Sequence, residues 1–164
     1  ADVIARFRDQ DRYNLIFAPH IRAVEDLSAA ERQDLMALAM PDKIIVDLGS
    51  PSLFDMRHAL AADLYLGDMS SQLYEFLARP RPVAFINAHH VDWRRDPRYA
   101  GWHLGEVADG PGDLLATLDR AFTGQPGRIA AQEQAAAFAF GDYRGAIGRA
   151  ADIVLDFLSS PDRA

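Results

Sequence analysis

Ile44, Ile45 and Val46 stand side by side in Lys43-Ile-Ile-Val-Asp-Leu48, with no polar residue between them. A β-branched run without alternation reads as a strand covered on both faces, and such strands belong to parallel sheets flanked by helices. Parallel neighbours cannot be joined by a tight hairpin; each needs a crossover, usually a helix. The surrounding chain has that rhythm. Leu15–Ala18 is a short apolar run that stops at Pro19, a second strand. Ser28 is placed to cap a helix, with Glu31 at the capping-box position and Leu35, Leu38 and Ala39 on its apolar face, and Pro41 ends it. Gly49-Ser50-Pro51-Ser52 turns the chain, and Leu53–Ala62 returns as a helix. Asp63–Gly67 reads as a strand, Ser71–Ala78 as a helix ended by Pro80 and Pro82, and Val83–Asn87 as another strand. Three helices follow, Asp113–Phe122, Ile129–Phe140 and Ala146–Ser159.

Alternation of this kind, with right-handed crossovers, predicts an α/β fold: a Rossmann-like three-layer α/β/α arrangement around one mainly parallel sheet. The 164 residues (18.1 kDa) make one domain, residues 1–164, without internal repeat or low-complexity linker. Asp2 to Asp11 carries Val3, Ile4 and Phe7 at helical spacing, so the chain begins as if inside a helix. That start points to a piece of a longer two-domain protein, against the plainer alternative of a processed N-terminal helix. A net charge of −7 lacks the basic face that duplex binding needs, so no nucleic-acid partner is expected. Without cysteine there is no disulfide, thiolate metal site or Cys nucleophile. No apolar run approaches the ~20 residues of a membrane-spanning helix, and no signal-peptide pattern opens the chain, so a cytoplasmic location is expected.

Candidate chemistry gathers at Asp68-Met69-Ser70-Ser71, between the carboxyl end of a strand and the start of a helix. Ligands of open α/β sheets bind in that position. Ser70 and Ser71 offer hydroxyls and amides to an anion, and Glu75, one turn on, can accept hydrogen bonds from a ribose diol. Plain N-capping by Ser70 explains the same residues without a ligand. His20, after Phe17-Ala-Pro19, falls on the same rim, either as a phosphate or substrate contact or as a capping histidine. His58, beside Arg57, reads as a surface or helix-packing residue. His89 and His90 diverge as neighbours and have no carboxylate at ligand spacing, so no metal site is expected. Five of the sixteen arginines (Arg79, Arg81, Arg94, Arg95, Arg98) fall within residues 79–98. Arginine suits bidentate phosphate contacts, but interleaved Asp92 and Asp96 favour solvated ion pairs for most of them. Residues 88–112 have little periodicity and read as a long loop, with Trp93, Tyr99 and Trp102 available for stacking or for the core.

Asp63-Leu-Tyr-Leu-Gly-Asp-Met-Ser-Ser-Gln-Leu-Tyr-Glu-Phe-Leu-Ala-Arg-Pro-Arg-Pro-Val-Ala-Phe-Ile-Asn87 resembles the signature of CDP-glycerol glycerophosphotransferases. There a strand reaches Asp-Tyr-Ser-Ser, followed by a helix with Phe-Asp or Phe-Glu, a Lys-Pro and an apolar strand. It is more distantly similar to the Asp-Ser-Gly-Gly segment of UDP-N-acetylglucosamine 2-epimerases and other GT-B-type nucleotide-sugar enzymes. Asp96-Pro-Arg-Tyr-Ala-Gly-Trp102 and the closing stretch Gly141 to Phe157 extend the resemblance. It covers about residues 12 to 159, the length of the C-terminal, nucleotide-binding half of such an enzyme.

The resemblance implies that Ser70 and Ser71 bind the diphosphate of a nucleotide-activated donor, CDP-glycerol or a nucleotide sugar, and that Glu75 binds its ribose. Asp68 would order the loop, His20 would lie at the interdomain cleft, and Arg98 stands closest to the family's phosphate-binding arginine, although Ala100 precedes Gly101 where that arginine belongs. Met69 and Arg81 also depart from the pattern. The implied whole protein is a glycosyl- or glycerophospho-transferase of cell-envelope polymer synthesis, cofactor-free, metal-independent and peripheral to the membrane. Its acceptor domain and general base would lie N-terminal to this chain, which alone would bind nucleotide and turn over nothing. The alternatives are a nucleotide-sugar epimerase-like domain and a non-catalytic, flavodoxin-like interaction domain.

Overall fold

The computed structural model describes residues 2–159, an α/β structure with two small parallel sheets. β1 (Leu15–Phe17) pairs with β2 (Ile44–Val46), Leu15 opposite Ile44 and Phe17 opposite Val46. β3 (Tyr65–Gly67), β4 (Val83–Ile86) and β5 (Glu106–Ala108) form the second sheet in that order, all parallel. Around them run α1 (Asp2–Ala5), α2 (Ile21–Glu25), α3 (Ala29–Met36), α4 (Arg57–Ala61), α5 (Ser71–Leu77), α6 (Leu114–Gly124), α7 (Ile129–Phe140) and α8 (Ala146–Ser159). The single sheet expected from the alternation is thus divided: β1 and β3 have no ladder between them. Side chains bridge the division. Leu15 and Phe17 from β1, Leu64 and Leu66 around β3, and Ile86 from β4 pack on one buried cluster of Ile4, Phe7, Ile44, Val46, Ala84, Leu114, Leu118 and Ala121.

Four other expectations are corrected. β2 is not covered on both faces: Ile44 and Val46 are buried, but Ile45 is 52% exposed. β2 ends the strand order, and α3 buries no residue that would lie over its outer face. The helix expected over Leu53–Ala62 is broken into a 3₁₀ turn at Pro51–Leu53 and α4. Between them Met56 sits in the left-handed region at φ 64°, and α4 then brings His58 within 2.6 Å of Asp47 at the end of β2. Residues 88–112 are no structureless loop. They hold a 3₁₀ segment, Pro97–Leu104, and β5, which pairs with β4 because Gly105 brings the backbone against the Val83 carbonyl, where a Cβ would collide. The opening helix is only the four residues of α1, after which Phe7 still reaches the core.

α5 is anchored by Leu73, Phe76 and Leu77, all buried against Val83, Phe85 and Trp102. Burial of this size contributes about 1.5–3 kcal/mol per side chain, which fixes the loop leading into the helix. Trp102, one of the stacking candidates, belongs to this core, with its ring 5.8 Å from Phe85 and 4.7 Å from Tyr99. α8 has the expected span, and Ile147, Val154, Leu155 and Leu158 on it are exposed. Among the described residues no helix is long and apolar enough to cross a membrane.

Candidate functional site

Where the ladder is interrupted, a cleft of about 1220 Å³ opens between β1 and β3. One wall is Leu15 to Ile21, the other Leu64 to Asp68, with Ser70, Gln72 and Glu75 from the head of α5 and Met56 and His58 from the head of α4. Within each sheet the strands run parallel, and His20, just after β1, and Asp68, just after β3, both line this cleft.

The β3–α5 loop is closed by backbone contacts. The Asp68 carbonyl accepts from the Ser70 N–H at 3.2 Å and from the Tyr65 hydroxyl at 3.1 Å, leaving the Asp68 carboxylate exposed. Tyr65 reaches that carbonyl by folding its ring over Gly67, where any Cβ would strike the phenol. Burial pushes the Tyr65 phenol above its ordinary range, so it enters the site as a neutral hydroxyl. Ser70 is the N-cap of α5 by position, in extended conformation, yet its side chain makes no cap hydrogen bond. Its Oγ stands 3.4 Å from the Tyr65 hydroxyl and lines the cleft. The Leu73 N–H donates to the Ser70 carbonyl at 3.2 Å, and the amides of the helix before it have no acceptor within α5.

His20 does cap: its Nδ1 accepts from the Arg22 N–H at 3.2 Å, and the exposed ring remains on the cleft wall. His20, Asp68, Ser70 and Glu75 are therefore brought together. Ser71 opens α5 with an exposed side chain and is not part of the cleft wall. Arg98 lies elsewhere. Its Nη2 is 2.6 Å from Asp96 and its Nε is 3.1 Å from both carboxylate oxygens, in a pair whose arginine is 81% exposed.

The sequence reading passed over a further group. Asp47, just past β2, is buried, and its Oδ2 lies 2.6 Å from His58 Nε2. The Ser50 hydroxyl donates to the same oxygen, while the amides of Gly49 (3.1 Å) and Ser50 (2.8 Å) donate to Oδ1. Burial alone would raise the Asp47 pKa; the hydrogen bonds from His58 and from Ser50 and Gly49 prevail and hold it well below the usual carboxylate range. The signal was an aspartate inside an otherwise apolar strand, which is costly unless something pairs with it. Nothing in the sequence pointed to a partner eleven residues on. His58 has a quarter of its side chain exposed; it holds α4 against the end of β2 through Asp47 and also lines the cleft.

Arg81, which replaces the lysine of the resembled motif, points away from solvent. It donates to the carbonyls of Ala59 (2.9 Å), Ala62 (2.6 Å) and Phe76 (2.8 Å), with the guanidinium 3.7 Å above the Phe76 ring. Its role is to tie the ends of α4 and α5 beneath the cleft. Among the described residues no group of three or more His, Asp or Glu is gathered as a metal site.

No family model, curated protein or solved structure matches this chain.

Proposed function

We propose that this chain is the donor-nucleotide-binding domain of a GT-B-type glycosyl- or glycerophospho-transferase, related in kind to the CDP-glycerol glycerophosphotransferases. The observation that carries the reading is the cleft between β1 and β3 with His20, Asp68, Ser70 and Glu75 on its walls. Continued across that cleft, the strands run β2-β1-β3-β4-β5, a doubly wound order whose direction of winding reverses between β1 and β3. Ligands of such sheets bind at the carboxyl ends beside that reversal. The Ser70 hydroxyl, uncommitted to capping, and the amides at the head of α5 suit the diphosphate; Glu75 suits a ribose diol. In the transfer, an acceptor hydroxyl displaces the nucleotide from the glycerophosphate or sugar. Donors aimed at the diphosphate stabilise the charge that accumulates on the leaving nucleotide. The acceptor, its binding domain, the general base, a place in cell-envelope synthesis and contact with the membrane surface belong to the whole protein.

Titration of the chain with CDP, UDP and GDP by calorimetry tests the reading. One nucleotide should bind measurably, and Ser70→Ala should weaken it by roughly 1–3 kcal/mol, the loss of a hydrogen bond to a charged group. Absence of binding by all three at millimolar concentration would favour an interaction domain and sink the donor site.

A further inference from the structure

We propose that His58, held through Nε2 by the buried Asp47 carboxylate, is the cation that grips the diphosphate of the nucleotide-activated donor in the β1–β3 cleft. The inference rests on the donor-site reading and says how the charge is met. Among the described residues that line the cleft there is no lysine and no arginine; its basic side chains are His20 and His58, set against the carboxylates of Asp68 and Glu75. Arg98 is occupied by Asp96, and Arg81 by helix-end carbonyls. A diphosphate diester brings two negative charges that this wall must balance.

Of the two histidines, His58 is the better placed. His20 is exposed, and its Nδ1 accepts from the Arg22 N–H, so a ring capping in this way carries its proton on Nε2 alone and is neutral. His58 is mostly buried, and its orientation is set by a carboxylate at 2.6 Å. When protonated it donates from both nitrogens, Nε2–H to Asp47 and Nδ1–H to a phosphate oxygen. Asp47 cannot follow the ring outward because the Ser50 hydroxyl and the Gly49 and Ser50 amides hold it. Asp47 is thus a positioning residue, and His58 the contact. The charged groups on the elements packed around His58 are Asp47, the Asp55–Arg57 pair at 2.8 Å on its own segment, Glu75 and Asp68 across the cleft, His20, and Arg81 below α4. A site whose cations are imidazoles releases its donor as pH rises, whereas an arginine or lysine site does not.

CDP-glycerol and UDP-glucose are suitable probes, because their diphosphate is esterified at both ends and lacks the protonation step that a terminal phosphate undergoes near about pH 6. Affinity is measured by calorimetry between about pH 5.5 and about pH 8, with the histidine rings followed by ¹⁵N–¹H NMR over the same range. The expected result is an affinity that falls about tenfold or more from the acid to the alkaline end of that range. His58→Gln should remove that slope, Asp47→Asn should move it to lower pH, and His20→Gln should keep it. Asp47→Asn retains an oxygen for the two amides, so it tests the pair even if His58→Gln folds poorly. A pH-independent affinity, or one that follows His20, overturns the proposal and leaves the donor site standing. If neither donor binds at any pH but inorganic pyrophosphate still shifts the His58 ring resonances, the anion site survives and the donor reading falls. No response to either probe overturns both.

Discussion

Arg81 is the side chain on which the floor of the cleft depends. Arg81 as a whole is 9% exposed, and the acceptors of its guanidinium are main-chain carbonyls: Ala59 and Ala62 of α4 and its C-terminal end, Phe76 near the end of α5, and more weakly Arg79 at 3.3 Å. Burial, the largest influence on its pKa, pulls it downward without discharging it. Arg81→Met keeps the apolar stem but strands three well-placed carbonyls, each costing about 1–3 kcal/mol when left unmade. Removing a buried charge returns several kcal/mol of desolvation. The difference is a net loss of about 3 kcal/mol, a large part of the 5–15 kcal/mol that holds a typical domain together. Arg81→Lys keeps the charge, but one ammonium cannot meet carbonyls from two helices, and about 2 kcal/mol should be lost. Urea unfolding measures both, with the midpoint falling and the slope unchanged. If lysine proves as stable as arginine, or both variants lie within about 0.5 kcal/mol of wild type, the forked geometry is not what joins α4 to α5.

Two further outcomes follow from local geometry. Asp47 has a folded-state pKa below its unfolded value of about 3.9, so its stabilisation is complete above about pH 5 and drains away as acid protonates it. Asp47→Asn should therefore lower Tm at neutral pH, with a gap that shrinks towards pH ~3; an unchanged gap across that range in thermal melts would contradict the linkage. Gly105→Ala drives a methyl into the Val83 carbonyl and should cost about 1–3 kcal/mol or more, with loss of amide protection in β5. Normal protection there would show that the two strands can move apart cheaply.

The parts of the fold written in short-range chemistry were legible. Ser28 accepts from the Glu31 N–H at 3.2 Å while Glu31 accepts from the Ser28 N–H at 2.9 Å, the reciprocal cap read from the residue spacing. Ile129–Phe140 and Ala146–Ser159 form helices over the spans their composition indicated. The alternation of strand and helix located four of the five strands and hence the carboxyl-end rim with His20, Asp68, Ser70 and Glu75. What escaped was long-range. Glu106-Val-Ala108 has no strand signal of its own and becomes β5 by lying beside β4. Ile45 looked like a core residue because sequence does not reveal which strand ends a sheet. Asp47 and His58 meet across a connection in which Met56 takes a left-handed conformation, and Arg98 is paired with a carboxylate two residues before it.

The interrupted ladder also has a mechanical meaning. β1 with β2, and β3 with β4 and β5, are stiff plates, each stitched by directional hydrogen bonds. Across the division the plates are joined by apolar side chains such as Leu15, Phe17, Leu64 and Leu66, whose contacts have no preferred direction. Packing of that kind yields to small sliding displacements that a ladder resists. The molecule therefore has a compliant seam running through the place where a ligand would enter. Among the described residues no backbone hydrogen bond crosses that seam, so in hydrogen exchange the plates should open as separate cooperative units.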